Sequence, residues 1–447
     1  LMKANYDIVV IGFGKAGKTL AAKFSKSGKS VALIEKDKNM YGGTCINVGC
    51  IPSKRLITDA SKSPNGEFEE KAQHYKETVA EKKKLTAALN KANYDKIASA
   101  GVEIIDGTAS FKDNHHIVVS TKDGNVEIEA EKLIINTGSV TVIPKIEGDG
   151  SKGVYTSESI MNLEELPKKL TIVGGGYIGL EFASMYADFG SKVTIVQDGD
   201  IFLPREDEDI AKAIQEVLEA KGVEIVKGAK VTKAEEGKLY YEIAGEAKTL
   251  ESDAILLAVG RRPNTYGLGC ENAGVKLTDR GGVVTDEHLK TSADNIWAAG
   301  DVCGKLQFTY ISLDDSRIIW DEIMGEDKRT TENRGAFSYS VFINPPFSRV
   351  GMSEKDAKAA GVEYKVLSLS ANAIPKAKVL RKTDGLLKAL VTADGTILGA
   401  ELFCEESYEM INFIKLAMDH GIKAKDIANF IFTHPTMSES LNDLFAM

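Results

Sequence analysis

Two glycine-rich turns, each set between a short apolar strand and a helical stretch, constrain this chain more than any other feature. Residues 6–11 are apolar and β-branched and run into Gly12-Phe13-Gly14-Lys15-Ala16-Gly17. Helical composition follows from Lys18 to Ser27, and Val31-Ala32-Leu33-Ile34 then ends at Glu35. The pattern returns as Leu170-Thr171-Ile172-Val173, Gly174-Gly175-Gly176-Tyr177-Ile178-Gly179, a helical stretch, and Val193-Thr194-Ile195-Val196 ending at Gln197. The spacing from Gly12 to Glu35 equals that from Gly174 to Gln197. In such a βαβ unit the first glycine permits a tight turn, the second lets backbone approach a pyrophosphate, and the third lets helix and strand pack closely. The helix N-terminus then faces the anion. Two copies predict an α/β protein with two doubly wound dinucleotide-binding domains.

The residues ending the second strands differ. Glu35 can bind both hydroxyls of a ribose. Gln197 offers neither the carboxylate that favours NADH nor the arginine that favours NADPH. Asp198 and Asp200 would repel a 2′-phosphate, and Arg205 is further off. The nicotinamide type therefore stays open at this level.

At roughly 150 residues per domain, 447 residues allow about three. With 56 Lys+Arg against 65 Asp+Glu the net charge is −9, and no long basic run exists, which argues against nucleic-acid binding. No run of apolar residues is long enough to predict a membrane span. The opening residues run straight into a strand pattern with no secretory signal. Five cysteines are too few for a disulfide scaffold, so a reducing cytoplasm is expected. Residues 66–100, rich in Lys, Glu and Ala, read as a long solvated helix. Residues 101–138 alternate as in antiparallel strands, and from about 336 onward strand-like and helical runs read as a separate α+β domain.

The most specific run is Gly42-Gly43-Thr44-Cys45-Ile46-Asn47-Val48-Gly49-Cys50-Ile51-Pro52-Ser53-Lys54. Cysteines at this spacing form a strained local disulfide only if the backbone is held for it. At a helix start, the helix N-terminus and a nearby lysine would stabilise their thiolates. Cys270, Cys303 and Cys404 are isolated and read as packing thiols. His115-His116 reads as a surface turn, and no metal site is expected. His74, His288 and His420 stand in no motif.

This run resembles the redox-active disulfide motif of the flavoprotein pyridine-nucleotide disulfide oxidoreductases, which include glutathione reductase, lipoamide dehydrogenase and mercuric reductase. The resemblance covers essentially the whole chain. Residues 291–301, ending Ala298-Ala299-Gly300-Asp301, look like the second flavin motif. Ile135-Asn136-Thr137-Gly138-Ser139 looks like the segment between domains, and His434-Pro435-Thr436-Met437-Ser438-Glu439 like the C-terminal histidine–glutamate pair. The resemblance implies a FAD domain at 1–150 and 271–335, an NAD(P) domain at 151–270 and a dimerisation domain at 336–447. It implies that Gly12, Gly14, Gly17, Glu35, Gly43, Thr44, Lys54, Thr137, Gly138, Gly300 and Asp301 line FAD. Gly174, Gly176, Tyr177, Gly179, Gln197 and Gly260 would line NADPH or NADH, with Tyr177 as a gate over the nicotinamide. Catalysis would fall to a Cys45–Cys50 disulfide, with Cys50 next to the flavin and Cys45 as the interchange thiol. A Lys54–Glu181 ion pair would lie beside the flavin, and His434, oriented by Glu439, would act across a homodimer.

Residues 11–18, 306–315 and 432–445 further resemble the bacterial reactive-chlorine-resistance flavoproteins, a branch similar to the hypothiocyanous acid reductases. Copper(II) reduction has also been attributed to that branch. Ala22 stands where glutathione reductases carry a substrate-binding arginine, and the chain ends without the second cysteine pair of mercuric reductases. The expected substrate is a small thiol-reactive oxidant, hypothiocyanous acid above all, with Phe308 or Tyr310 narrowing the substrate entrance against bulky disulfides. A dihydrolipoamide dehydrogenase, a Cu(II) or Hg(II) reductase and a non-catalytic redox sensor are the other readings.

Overall fold

Residues 4–447 are described in a computed structural model. The first glycine unit folds as expected: strand Asn5–Ile11, helix Lys15–Lys26 and strand Val31–Glu35, the strands parallel with Ile11 opposite Ile34. Strand Gly124–Ile135 pairs parallel on the other side of Asn5–Ile11. Strand Ile296–Ala298 joins Gly124–Ile135, also parallel, so a late segment returns to the first sheet. Strands buried on both faces read as continuous apolar runs, as Ile8-Val9-Val10-Ile11 does.

Two expectations are corrected. Strand Glu103–Asp106 is not part of the antiparallel run; it pairs parallel with Val31–Glu35 and closes that edge of the sheet. Alternation over four residues cannot distinguish the two pairings. Only Thr108–Phe111, His116–Thr121 and Gly124–Ile135 form the antiparallel stack. Helix Phe68–Ser99 is solvated along much of its length, but Tyr75 and Val79, one turn apart, are fully buried. The Tyr75 hydroxyl donates to the Leu163 carbonyl at 2.8 Å, and its ring packs edge-on against Phe189. The helix thereby ties the two glycine units together.

The second unit is strand Lys169–Val173, helix Tyr177–Phe189 and strand Lys192–Val196, within a five-stranded parallel sheet completed by Glu224–Val226, Ala254–Leu257 and Val154–Thr156. The third sheet is antiparallel, with Ser338–Val341, Phe347–Gly351, Ile397–Phe403, Leu386–Val391 and Lys365–Ser370 in spatial order. Helix Ser407–Asp419 buries Met410, Ile411 and Ile414 in the core beside it. Cys270, Cys303 and Cys404 are buried, as packing thiols should be. His115 and His116 sit at a turn, where the Asp113 carboxylate accepts both backbone N–H groups. No helix among the described residues is long and apolar enough to cross a membrane.

Candidate active site

The two glycine loops are built alike. Gly12 has φ +105° and Gly174 φ +114°. A Cβ on Gly12 would meet the Asn136 carbonyl oxygen at 2.1 Å, and one on Gly174 the Ala258 carbonyl oxygen at 2.2 Å. Each loop is pressed against the strand beside it, so only glycine fits. A Cβ on Gly17 would meet the Gly12 carbonyl oxygen at 2.6 Å and one on Gly179 the Gly174 carbonyl oxygen at 2.2 Å, so glycine lets each helix begin directly behind its loop.

Around the first loop the groups expected to hold FAD converge. The Glu35 carboxylate accepts the backbone N–H of Phe13 at 3.2 Å and of Asp37 at 3.1 Å. Burial pushes its pKa up, the condition of a carboxylate suited to hydroxyl donors. Gly43 has φ +89°, and a Cβ on it would meet Gly14 Cα at 2.8 Å, so the turn before Thr44 rests on the loop. Asp301 follows Gly300 in a short turn, accepts the Ser139 hydroxyl at 2.7 Å and is pushed up by burial. Thr137 donates to the Asn264 carbonyl at 2.7 Å, and Gly138 has φ +73°. A bare-backbone cradle, a helix N-terminus and the half-buried carboxylates of Glu35 and Asp301 fit FAD.

Two residues given no role from the sequence complete this region. Asn136 Oδ1 accepts the Gly17 N–H at 2.9 Å, and its Nδ2 donates to the Ala299 carbonyl at 2.8 Å, stitching the glycine loop to the Gly300-Asp301 turn. Lys18 is buried and donates to the Gly42 carbonyl at 3.0 Å and to Asn93 Oδ1 at 2.8 Å. Burial pulls its pKa down to about 8, while Cys45 pulls it the other way. A lysine directly after the third glycine was the available signal.

The cysteines sit at consecutive helix starts. Cys45 is the second residue of Thr44–Asn47, and Cys50 opens Cys50–Ala60. Cys45 is half-buried and Cys50 exposed. The pair is asymmetric. A hydrogen bond from Cys45 pulls Cys50 down to about 6, against burial, with Thr309 and Lys54 assisting. The same bond, with burial, pushes Cys45 up. Thr309 Oγ1 lies 3.6 Å from Cys50 Sγ. A thiol at a helix N-terminus beside an ammonium is the usual setting of a stabilised thiolate.

One turn along the same helix, Lys54 Nζ is 2.9 Å from Glu181 Oε2, and the Phe342 backbone N–H donates to Glu181 Oε1 at 2.9 Å. One turn before Glu181 stands Tyr177, the first residue of its helix. Its hydroxyl is bonded to the buried Glu206 carboxylate.

The remaining expectations fare differently. Gln197 is turned inward: its Nε2 donates to the carbonyls of Gly199 at 2.8 Å and Ile201 at 3.0 Å, so its amide nitrogen braces its own loop. Gly176 caps the helix opened by Tyr177, and Gly260, at φ +122°, lies just before the short strand Arg261–Pro263. Phe308 stacks on Tyr339, at 6.4 Å between centroids, and Tyr339 in turn touches Tyr177, so Phe308 lies between the Tyr177 cluster and the Cys50 side, where Thr309 follows it. Tyr310 packs on Phe308 and donates to the Ser338 carbonyl; the Cys50 charge contributes to its raised pKa. His434 Nδ1 is 2.8 Å from Glu439 Oε1, and its side chain is 70% exposed. No hydrogen bond among the described residues joins it to either cysteine of its own chain.

Residues 6–316 match the pyridine nucleotide-disulphide oxidoreductase family, and residues 337–445 match that family's dimerisation domain. The chain belongs to this family. It is a flavoprotein disulfide reductase, and the family implies use of FAD and NAD(P)H. The chain is 48% identical over 445 residues, 99% of each chain, to the probable pyridine nucleotide-disulfide oxidoreductase RclA of Escherichia coli (strain K12). It is 32% identical to a mercuric reductase of Staphylococcus aureus, covering 98% of this chain and 81% of that one. It is 33% identical to a dihydrolipoyl dehydrogenase of Corynebacterium glutamicum, covering 99% and 97%. Among solved structures it resembles the Cu(II) complex of the HOCl-induced flavoprotein disulfide reductase RclA from Escherichia coli, with a TM-score of 0.94, 48% identity and coverage of 100% and 99%. The matched dimerisation domain indicates a homodimer.

Proposed function

We propose that this flavoenzyme uses NADPH or NADH to reduce a small thiol-reactive oxidant, hypothiocyanous acid foremost, through the Cys45–Cys50 pair. The observation that carries the reading is the asymmetric dithiol: Cys50 pulled down to about 6 beside a Cys45 pushed up, on a helix that reaches the Lys54–Glu181 pair. FAD, when bound, would supply the two-electron relay between the nicotinamide and this pair. Glu35, Asp301 and the loop at Gly12, Gly14 and Gly17 would hold it, with Tyr177 screening the nicotinamide side.

The chain's own chemistry then follows. Cys45, as thiolate, attacks the sulfur of hypothiocyanous acid, forming Cys45–S–SCN and releasing hydroxide, which is protonated to water. Cys50, as thiolate, attacks the Cys45 sulfur; the Cys45–Cys50 disulfide forms and thiocyanate leaves. The His434 of the partner subunit, oriented by Glu439, takes the Cys45 proton and returns one to the leaving hydroxide. Ala22 in place of a substrate-binding arginine supports a small electrophile over glutathione disulfide. The cytoplasm is the proposed compartment.

A second reading is Cu(II) reduction by the same dithiol, favoured because a full-length relative was solved as a Cu(II) complex. Consumption of NADH and NADPH with fresh hypothiocyanous acid, beside glutathione disulfide, lipoamide and Cu(II), separates the readings. Fast turnover with hypothiocyanous acid alone is expected. Fast turnover only with lipoamide would reassign the protein as a dihydrolipoamide dehydrogenase.

A further inference from the structure

Glu206 is fully buried, yet it is a carboxylate. One oxygen, Oε1, accepts hydrogen bonds from the hydroxyls of both Tyr177 and Tyr339. The other, Oε2, faces Arg349 Nη1 at 3.3 Å. The tyrosine hydroxyls are 3.2 Å apart, and their rings 5.5 Å. A carboxylate taken wholly out of water is costly unless it is both charge-paired and hydrogen-bonded, and here Arg349 supplies the charge and the tyrosines the donors. Burial and the nearby carboxylate hold both phenols above their ordinary range, so they stay protonated as donors.

The carboxylate is also the fixed member of the group. The next residue, Asp207, accepts the backbone N–H groups of Glu354 at 2.9 Å and Lys355 at 3.1 Å, and the Lys388 ammonium at 3.0 Å. Glu354, Lys355, Lys388, Arg349 and Tyr339 all belong to the C-terminal domain, so the backbone around Glu206 is riveted across a domain boundary. Tyr177 is only half-buried and opens its helix.

We infer that Glu206 is the positioning residue of the Tyr177 gate: its charged carboxylate holds Tyr177 in the closed position and sets how readily the nicotinamide displaces it. This rests on the reading of Tyr177 as the gate. Tyr339 shares the same oxygen and stacks on Phe308, which packs on Tyr310, so the closed gate is continuous with the aromatic rings that lead toward Cys50.

The test is anaerobic rapid-mixing reduction of the FAD-loaded enzyme by each nicotinamide nucleotide, across a concentration series. Tyr177→Phe removes the donor and keeps the ring; Glu206→Gln removes the charge and keeps the shape. Losing a charge-assisted hydrogen bond from the closed state raises the open fraction, so the half-saturating nucleotide concentration should fall about 10-fold in each variant. In Glu206→Gln the limiting rate of flavin reduction should hold. The double variant should show no more than the single effect, because both remove one interaction. If Glu206→Gln does not fold, Tyr177→Phe alone decides. Unchanged or raised half-saturation in Tyr177→Phe, or additive effects in the double variant, overturns the latch. A wild-type flavin that neither nucleotide reduces overturns the proposed function itself, and the latch with it.

Discussion

Lys54 Nζ lies 2.9 Å from Glu181 Oε2, and this one ion pair joins the helix that begins at Cys50 to the helix that begins at Tyr177. Cys50 and Lys54 are one turn apart, as are Tyr177 and Glu181, so each pair shares a helix face. The thiolate candidate and the gate candidate are therefore set by the same contact.

Replacing Lys54 by methionine keeps the length of the side chain and removes its charge. The Cys50 thiolate loses one of its supports, and its pKa should rise by about one unit from its value near 6. Thiolate absorbance or alkylation rate against pH measures the shift, and a Cys50 midpoint that stays put would remove Lys54 from thiolate stabilisation.

The two cysteines should separate in function. Cys45→Ser should retain FAD and its reduction by nicotinamide while losing oxidant turnover. Cys50→Ser should lose the long-wavelength absorbance of the two-electron-reduced enzyme. Sustained turnover in the first variant, or the surviving band in the second, would reverse the assignment.

His434→Ala should slow turnover by about two to four orders of magnitude, the usual contribution of a positioned acid or base. Light scattering at working concentration should give a dimer. A monomer with full activity would contradict a site completed by a partner histidine.

Glu401 gives a stability prediction. It is fully buried, neither of its oxygens has an ordinary partner, and burial, with Asp207 beside it, pushes it up to about 9. Asp207, despite burial, is brought down to about 2 by hydrogen bonds from Glu401, the backbone N–H groups of Glu354 and Lys355, and Lys388. Glu401 is therefore the member of the pair that keeps its proton. The folded state binds a proton that the unfolded state releases above its ordinary value near 4.5, so stability falls as pH rises from there toward about 9. The slope is at most about 1.4 kcal/mol per pH unit. Glu401→Gln should flatten the dependence of denaturant midpoint on pH across this window and leave the variant the more stable form at alkaline pH.

Much of this was legible in the chain. The glycine loops announced both nucleotide-type units because tight turns and close helix packing allow few other residues. The Cys45–Cys50 run announced a helix-start dithiol for the same reason. What stayed hidden was made by distant segments meeting. Asn136 carries no local signal for its bridge between Gly17 and Ala299. The partners of Glu206 come from Tyr177, Tyr339 and Arg349, which no periodicity links. Nothing local signals that the Gln197 amide nitrogen bonds the carbonyls of Gly199 and Ile201. Phe308 has no sequence signal for its stacking on Tyr339, a contact made between distant segments.

The most direct test of the central claim is chemical. Enzyme reduced by two electrons would be mixed anaerobically with one equivalent of hypothiocyanous acid, quenched in an alkylating agent and mapped by mass spectrometry, with released thiocyanate measured alongside. The account predicts a Cys45–Cys50 disulfide and one thiocyanate per oxidant consumed. Oxidant consumed while both cysteines remain open to alkylation would contradict it.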